Sequence, residues 1–406
     1  MTKLRLNTRL MILLLLAVLI TGFPATNSFA GAQGLRSKKG GDLEPSHRTI
    51  DTLSEDDRDK VETIIAKLMQ QHGTPGMEVA IQKKGKTIFE AGYGSISKES
   101  KVIPGPDTRF QIDSLTKSFT AFAVLHLVEQ GRVDLDKPMG DYVTTLPNPA
   151  WGPIPVRCYL GMITGIPDDS VSKGSYKEAI ARAAANRVPR PDPPRGFKNQ
   201  PRPPGYLIGL DFEPPGSQYE YSDVNYFLLG QLVDKKSPSG SFMTYTKNRI
   251  LTPLGMNDTG LIEFGHGDRW PTPYNNGNKV DPREPESGFS GGGFVSTISD
   301  LEKFGSGLHN RAVLSAKIYD EMWSRTKLTS GENNGKSINF GLGWDDVILN
   351  AKGELIRVSK NGGGWGWGSQ LTFFPKSEYC VILLQNSQNG NLAQAAIDIE
   401  QAITSK

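Results

Sequence analysis

The chain has 406 residues, with 46 Lys and Arg against 43 Asp and Glu, a formal charge of +3 and 37% hydrophobic residues. That size and apolar content suffice for a large core without covalent staples. Near charge balance argues against nucleic acid as the main partner, and five scattered histidines with two cysteines offer no metal-ligand spacing.

The first predicted element is a leader. Lys3, Arg5 and Arg9 precede an apolar run from Leu10 to Ile20, and the small residues Ser28 and Ala30 suit a cleavage site. Residues 1–30 thus read as a secretory signal peptide, too short in its apolar part for a span of about 20 residues. A secreted or periplasmic location follows, with no membrane span after cleavage. Those three basic residues are the only charges in the leader, so the remainder carries 43 of each sign. Residues 31–53, Gly-rich and polar at their start, are expected to be a flexible linker.

From Ser54, "SEDDRDKVETIIAKLMQQH" has an N-cap, early acids and helical spacing of apolar residues. "GMEVAIQKKGKTIFEAGYG" reads as two strands around a Lys-Gly turn. Next, "QIDSLTKSFTAFAVLHLVEQG" predicts a helix with Ser114 and Lys117 one turn apart on one face. Residues from about 132 to 335 mix short helices with Pro/Gly-rich loops, and the stretch 186–216 is dense in proline and arginine. It predicts an extended loop; its functional reading is a lid beside a pocket that favours an anionic substrate. "ELIRVSK", "SQLTFFPK" and "YCVILLQNS" predict three strands, and "NLAQAAIDIEQAITSK" a last helix. The fold class is therefore α/β (α+β), with one antiparallel sheet built from both chain ends and a mostly helical region between them. Cys158 and Cys380 are either joined or two buried thiols.

Several serines compete for attention. Ser-x-x-Lys occurs at Ser95, Ser114, Ser170 and Ser324. Only Ser114 is followed at once by an apolar helix, whose N-terminal N–H groups suit an oxyanion. Asp113 is expected to cap that helix and leave Ser114 free to react. On these features alone Ser114 is either a nucleophile or a polar residue at a helix start. Gly288-Phe289-Ser290-Gly291-Gly292 fits Gly-x-Ser-x-Gly, but no strand precedes it, so a Gly-rich turn is expected. His126, inside an apolar helix, is expected in the core.

The segment "TRFQIDSLTKSFTAFAVLHLVEQGRVDLDKPMGDYV" resembles the active-serine region of the serine β-lactamase and penicillin-binding protein superfamily. It is most similar to the branch of class C β-lactamases, D-alanyl-D-alanine carboxypeptidases and esterases. That branch carries Ser-x-x-Lys, Tyr-x-Asn and Lys-Thr-Gly or His-x-Gly in this order. Here Tyr221-Ser222-Asp223 stands for the second and Lys360-Asn361-Gly362 for the third. The alternative register, Asn361-Gly362-Gly363, is set aside because Lys360 places Gly366-Trp367 at the family's Gly-aromatic position. Tyr274-Asn275-Asn276 also fits the second motif but lies in a Pro/Gly loop.

The resemblance implies a β-lactamase/transpeptidase-like hydrolase domain over residues 54–406, with the region of about 118–335 inserted, and needs no cofactor or metal. It implies Ser114 as nucleophile, Lys117 and Tyr221 as proton acceptors, and Lys360 as a cation that also binds a substrate carboxylate. Asn361, Gly362 and Gly363 would form the substrate-facing strand, with the N–H groups of Ser114 and Gly363 holding the oxyanion. Trp365 and Trp367 are expected at the pocket wall or in the packing. Asp223 replaces the usual asparagine, and a carboxylate there would favour charged Lys117 and weaken it as a base. The expected partner is a small-molecule or peptide substrate: a β-lactam, a D-alanyl peptide or an ester, with anionic and peptidoglycan-derived compounds among the candidates. The rival reading is an inactive relative that binds cell-wall fragments or a partner protein.

Overall fold

The computed structural model describes residues 46–146, 148–166, 213–261, 270–281 and 289–405. The expected leader, residues 31–45 of the expected linker, Ser170 and the Pro- and Arg-rich stretch up to residue 212 lie outside them.

The N-terminal part follows its sequence signals closely. Helix α1 (Glu55–His72) starts where Ser54 Oγ accepts the Asp57 N–H at 3.1 Å, with three acids in its first turn, and ends at Gly73 in the left-handed region. Strands β2 (Gly76–Lys83) and β3 (Lys86–Gly94) form the expected hairpin. One correction concerns the linker. Residues 46–51 are a strand, β1, on the outer edge of β3, and "SHRTID" alternates half-buried and exposed residues as an edge strand does.

Between the hairpin and the last strands come the short strands β4 (Phe110–Gln111), β5 (Gly260–Leu261) and β8 (Phe294–Ser296), which make a small sheet ordered β4-β8-β5. A two-stranded ribbon, β6 (Tyr274–Asn275) and β7 (Asn278–Lys279), lies apart from it in the hydrogen-bonding order. The C-terminal strands are β9 (Asp346–Leu349), β10 (Leu355–Gly364), β11 (Trp367–Phe374) and β12 (Tyr379–Gln385). Together with the hairpin they form one antiparallel sheet, β1-β3-β2-β12-β11-β10-β9, in which β12 pairs with β2 and so joins the two chain ends.

Helices cover both faces of this sheet, which is why β2 and β11 are buried along nearly their whole length. Alternate residues serve opposite layers: Met77, Val79 and Ile81 pack with α1 and the C-terminal helix Leu392–Thr404, whereas Ala80 joins the larger core. That larger core surrounds α2 (Thr116–Glu129), in which every side chain from Thr116 to Leu125 is buried. Its buried hydroxyls are paired: Ser118 donates to the Gly343 carbonyl at 3.0 Å and Thr120 to the Ser290 carbonyl at 2.6 Å. Cys158, on helix α3 (Val156–Leu160), and Cys380, on β12, are both buried free thiols, so no disulfide joins them.

Candidate active site

Ser114 sits in a 3-10 turn, Asp113–Leu115, that leads directly into α2. The expected cap by Asp113 is not made: Ile112 holds the N-cap position of the turn and Leu115 that of α2. Instead Asp113 takes a positive φ of 43°, a conformation that non-glycine residues adopt at a cost and that bends the chain immediately before Ser114.

Three side chains from different parts of the sequence converge on this turn. Lys117 Nζ donates to Ser114 Oγ at 3.0 Å, one helical turn away. Tyr221 OH donates to the same Oγ at 2.6 Å. Asp223 Oδ1 accepts from Lys117 Nζ at 2.5 Å, and the Gly291 carbonyl accepts from it at 2.6 Å. Tyr221 is placed by the segment ahead of helix Asp223–Lys236, which is anchored where the Glu220 N–H donates to the Met162 carbonyl at 2.9 Å. Burial, followed by Asp223 and Asp345, pushes the Tyr221 phenol well above its ordinary value, so it is neutral at physiological pH.

The sheet supplies the opposite wall. Lys360 Nζ donates to Asp345 Oδ1 at 2.6 Å, and the Asn361 N–H to Asp345 Oδ2 at 3.1 Å. Burial, offset in part by Asp345, lowers the Lys360 ammonium from its ordinary value. Its Nζ lies 5.6 Å from the Tyr221 ring centroid and that of Lys117 4.8 Å. Since the Asn361 N–H points away from β11, the two-residue alternation of a strand turns the Gly363 N–H to the same open edge. Gly362 lies against the serine turn: a Cβ there would come within 2.0 Å of the Ile112 carbonyl oxygen and 2.9 Å of Leu115 N. Only glycine allows that approach.

Residues 61–404 match the Beta-lactamase family. The chain belongs to this family. It is 30% identical over 351 residues to Protein flp of Staphylococcus aureus strain COL, which covers 82% of this chain and 64% of that relative. The chain therefore spans less than two thirds of the length of that relative. Penicillin-binding protein 4* of Bacillus subtilis is 24% identical over 367 residues, covering 85% of this chain and 75% of its own. Among solved structures, the octameric penicillin-binding protein homologue from Pyrococcus abyssi superposes with a TM-score of 0.68 at 26% identity, over 86% of this chain and 77% of that one. The D-amino acid amidase from Ochrobactrum anthropi SV3, complexed with L-phenylalanine, has a TM-score of 0.66 at 21% identity, over 86% and 98%. The mixed fold with its antiparallel sheet is thus the β-lactamase/transpeptidase-like fold.

Within this Beta-lactamase family site, all three expected motifs meet, and the competing matches among the described residues do not. Ser95 Oγ donates to the Ser97 carbonyl and Ser324 Oγ to the Asp320 carbonyl. Tyr274 OH accepts the Lys98 N–H at 2.9 Å. Ser290 is buried in a short helix, Phe289–Gly292, rather than an open turn, and its Oγ donates to the Tyr226 carbonyl at 2.9 Å. Yet this segment matters, because the neighbouring Gly291 carbonyl holds Lys117.

Sequence reasoning missed Gly291 and Asp345. Nothing local marks Gly291, since a backbone carbonyl has no side-chain signature. "GWDD" ahead of the third motif was the available signal for Asp345, which docks both Lys360 and Asn361. Other expectations change. The Lys360 side chain has no exposed surface, so it cannot itself touch a substrate carboxylate. Trp367 is core, edge-on to Phe110 at 6.1 Å, while Trp365 is 53% exposed in the turn between β10 and β11. Trp365 and Gly366 both have positive φ, as a two-residue hairpin turn requires. His126, expected in the core, is half-buried and bonds Tyr245 OH at 2.7 Å.

Proposed function

We propose that this chain is an exported serine hydrolase that forms an acyl-enzyme on Ser114. The observation that carries the proposal is the pair of contacts on one hydroxyl: Ser114 Oγ lies 3.0 Å from Lys117 Nζ and 2.6 Å from Tyr221 OH. A serine hydroxyl needs a group to take its proton, and Lys117 stands within reach to do so as a neutral amine. In the proposed reaction Lys117 acts as its neutral amine, and Oγ attacks a carbonyl carbon as its proton passes to that amine. The tetrahedral oxyanion is held between the N–H groups of Ser114 and Gly363. Tyr221, neutral at rest, gives its proton to the leaving group as the carbon–heteroatom bond breaks and recovers one from the Lys117 ammonium; water then adds to the acyl carbonyl, and one of its protons goes to Ser114 Oγ as the acyl group departs as the acid. Losing one oxyanion donor typically costs about 3 kcal/mol of transition-state stabilisation.

The carbonyl belongs to an amide, ester or β-lactam, and the penicillin-binding relatives support testing all three. A fluorophosphonate or fluorescent penicillin, followed by peptide mapping, tests the nucleophile. Label on the Ser114 peptide that disappears in Ser114→Ala is expected; undiminished label in that variant would refute the assignment. Export is tested by N-terminal sequencing of protein recovered outside the cytoplasm, with a start near residue 31 expected.

One observation favours the binding-only reading. As an ammonium, Lys117 has three N–H bonds, and Ser114, Asp223 and Gly291 accept all three. Saturable binding of peptidoglycan fragments without label or turnover at any pH would favour that reading.

A further inference from the structure

Strand β10 parts from β9 at a defined point, and one side chain marks it. The last paired residues are Asp346 and Ser359, and the Asp345 N–H still donates to the Ser359 carbonyl at 2.9 Å. The preceding residues are drawn elsewhere: the Trp344 carbonyl accepts the Gly341 N–H at 2.9 Å, and the Gly343 carbonyl accepts the Ser118 hydroxyl of α2 at 3.0 Å. The next outward N–H of β10, that of Asn361, goes instead to the Asp345 side chain, through Oδ2 at 3.1 Å. A carboxylate oxygen thus stands where a continuing strand would place a carbonyl.

The other oxygen of that carboxylate is also used. Oδ1 accepts from Lys360 Nζ at 2.6 Å, and Lys360 has no exposed surface while Asp345 is 19% exposed. One carboxylate therefore bridges the side chain of one β10 residue and the backbone of the next. An unpaired strand end frays, and a buried ammonium without a partner is costly; Asp345 answers both. Gly363, whose N–H is the proposed oxyanion donor, follows two residues after Asn361 and so faces the same edge.

We propose that Asp345 is a positioning residue for the reaction: it pins β10 at Asn361, which presents the Gly363 N–H to the acyl oxygen, and it holds the Lys360 side chain beside Tyr221. This rests on the hydrolase reading above and deepens it, with Asp345 acting through β10 and Lys360 rather than on the reacting atoms. The same contact gives a pH signature. Burial lowers the Lys360 ammonium, Asp345 raises it and Lys117 lowers it again. Around Lys360 stand Asp345 from the segment ahead of β9, Lys117 from α2, and Tyr221 and Asp223 where helix Asp223–Lys236 opens; Asp345 also acts on Tyr219 and Tyr226. Without Asp345 the largest influence favouring the Lys360 charge is gone, so Lys360 gives up its proton at lower pH. Asp345 raises the Tyr221 phenol too, so both groups move the same way.

The test uses the full chain and a p-nitrophenyl ester. Asp345→Ala should lower kcat by about 10²-fold with KM moved by less than about threefold. Formate at about 0.1 M should recover about fivefold or more of that loss, because a small carboxylate can enter the partly exposed position. Asp345→Asn keeps the shape and one acceptor, so the alkaline limb of its kcat/KM profile should move toward acid by about one pH unit or more. Asp345→Ala with kcat within about threefold of the parent overturns the inference, as does a loss that formate leaves unrescued or a limb unmoved in Asp345→Asn. Should Asp345→Ala fail to fold, the limb of Asp345→Asn decides. Should the ester not be turned over, the rate of fluorophosphonate labelling of Ser114 gives the same readouts. Absence of any label on Ser114 in the parent chain refutes the hydrolase reading itself, whereas label with an unmoved limb refutes only this inference.

Discussion

Lys117 decides how the candidate site works, because three acceptors share one ammonium: Ser114 Oγ, Asp223 Oδ1 and the Gly291 carbonyl. To take the serine proton it must first be free of one of its own, and Asp223 Oδ1 accepts one of its N–H bonds at 2.5 Å. Asp223→Asn takes the negative charge away from that contact, so turnover of an uncharged ester at pH 7 should rise about tenfold. A fall instead would give Asp223 a direct part in proton transfer. Tyr221 belongs to the same scale. Its phenol is held neutral by burial and by Asp223 and Asp345, which suits a donor to the leaving group. Tyr221→Phe should lower kcat by about 10²-fold or more with little change in KM. An equal loss in KM and none in kcat would make it a binding group.

At the scale of elements, the site is the meeting of one turn and one strand edge. β10 outruns β9, which pairs only as far as Ser359, and leaves Lys360 to Gly364 with an open edge toward Ser114. Gly362 sets the distance between them. Gly362→Ala would drive a methyl to within 2.0 Å of the Ile112 carbonyl, so β10 must withdraw from the serine turn. Loss of hydrolysis by about 10²-fold or more is expected, from displacement of the Gly363 N–H, with destabilisation of about 1–3 kcal/mol in chemical denaturation. Unchanged kinetics would show that this strand has no part in catalysis. Strands with strong local signals were legible in advance: the hairpin β2–β3 and the apolar runs of β10 to β12. The edges β1 and β9 were not, because "SHRTID" is polar and "DVIL" is four residues long, and each becomes a strand only by pairing with a neighbour.

Across the whole molecule, the sheet carries buried acid remote from the serine. Glu78 has no exposed surface, and burial followed by Glu90 and Glu302 raises it well above the usual carboxyl range. Glu302, on helix Ile298–His309 over the same face, is raised to about 8 by burial and Glu90, although Thr87 Oγ1 donates to it at 2.9 Å. These acids bind protons in the folded state that the unfolded chain has already released near pH 4.5. Stability should therefore be greatest at low pH in this window and fall as pH rises toward 8, at up to about 1.4 kcal/mol per pH unit for each group. Urea denaturation from pH 5 to 8.5 reads this slope, and Glu302→Gln should flatten it. A slope of the opposite sign, or one unchanged in the variant, would show that these carboxyls are ionised in the fold.

The sequence by itself determined the start of α1, the hairpin, the sheet made from both chain ends, and the three short motifs whose order carries the family resemblance. Those features depend on neighbours a few residues apart, where periodicity, capping and turn chemistry act. The separation of Ser114 from Ser95 and Ser324 was also legible, through the apolar helix behind it. Only the tertiary structure decided which groups face one another: Asp345 against Lys360, the Gly291 carbonyl against Lys117, Tyr221 against Ser114. It also decided which end of each ion pair is buried. Burial and pairing across hundreds of residues depend on how layers close over one another, and that closure turned two lysines inward and left their two aspartates partly exposed.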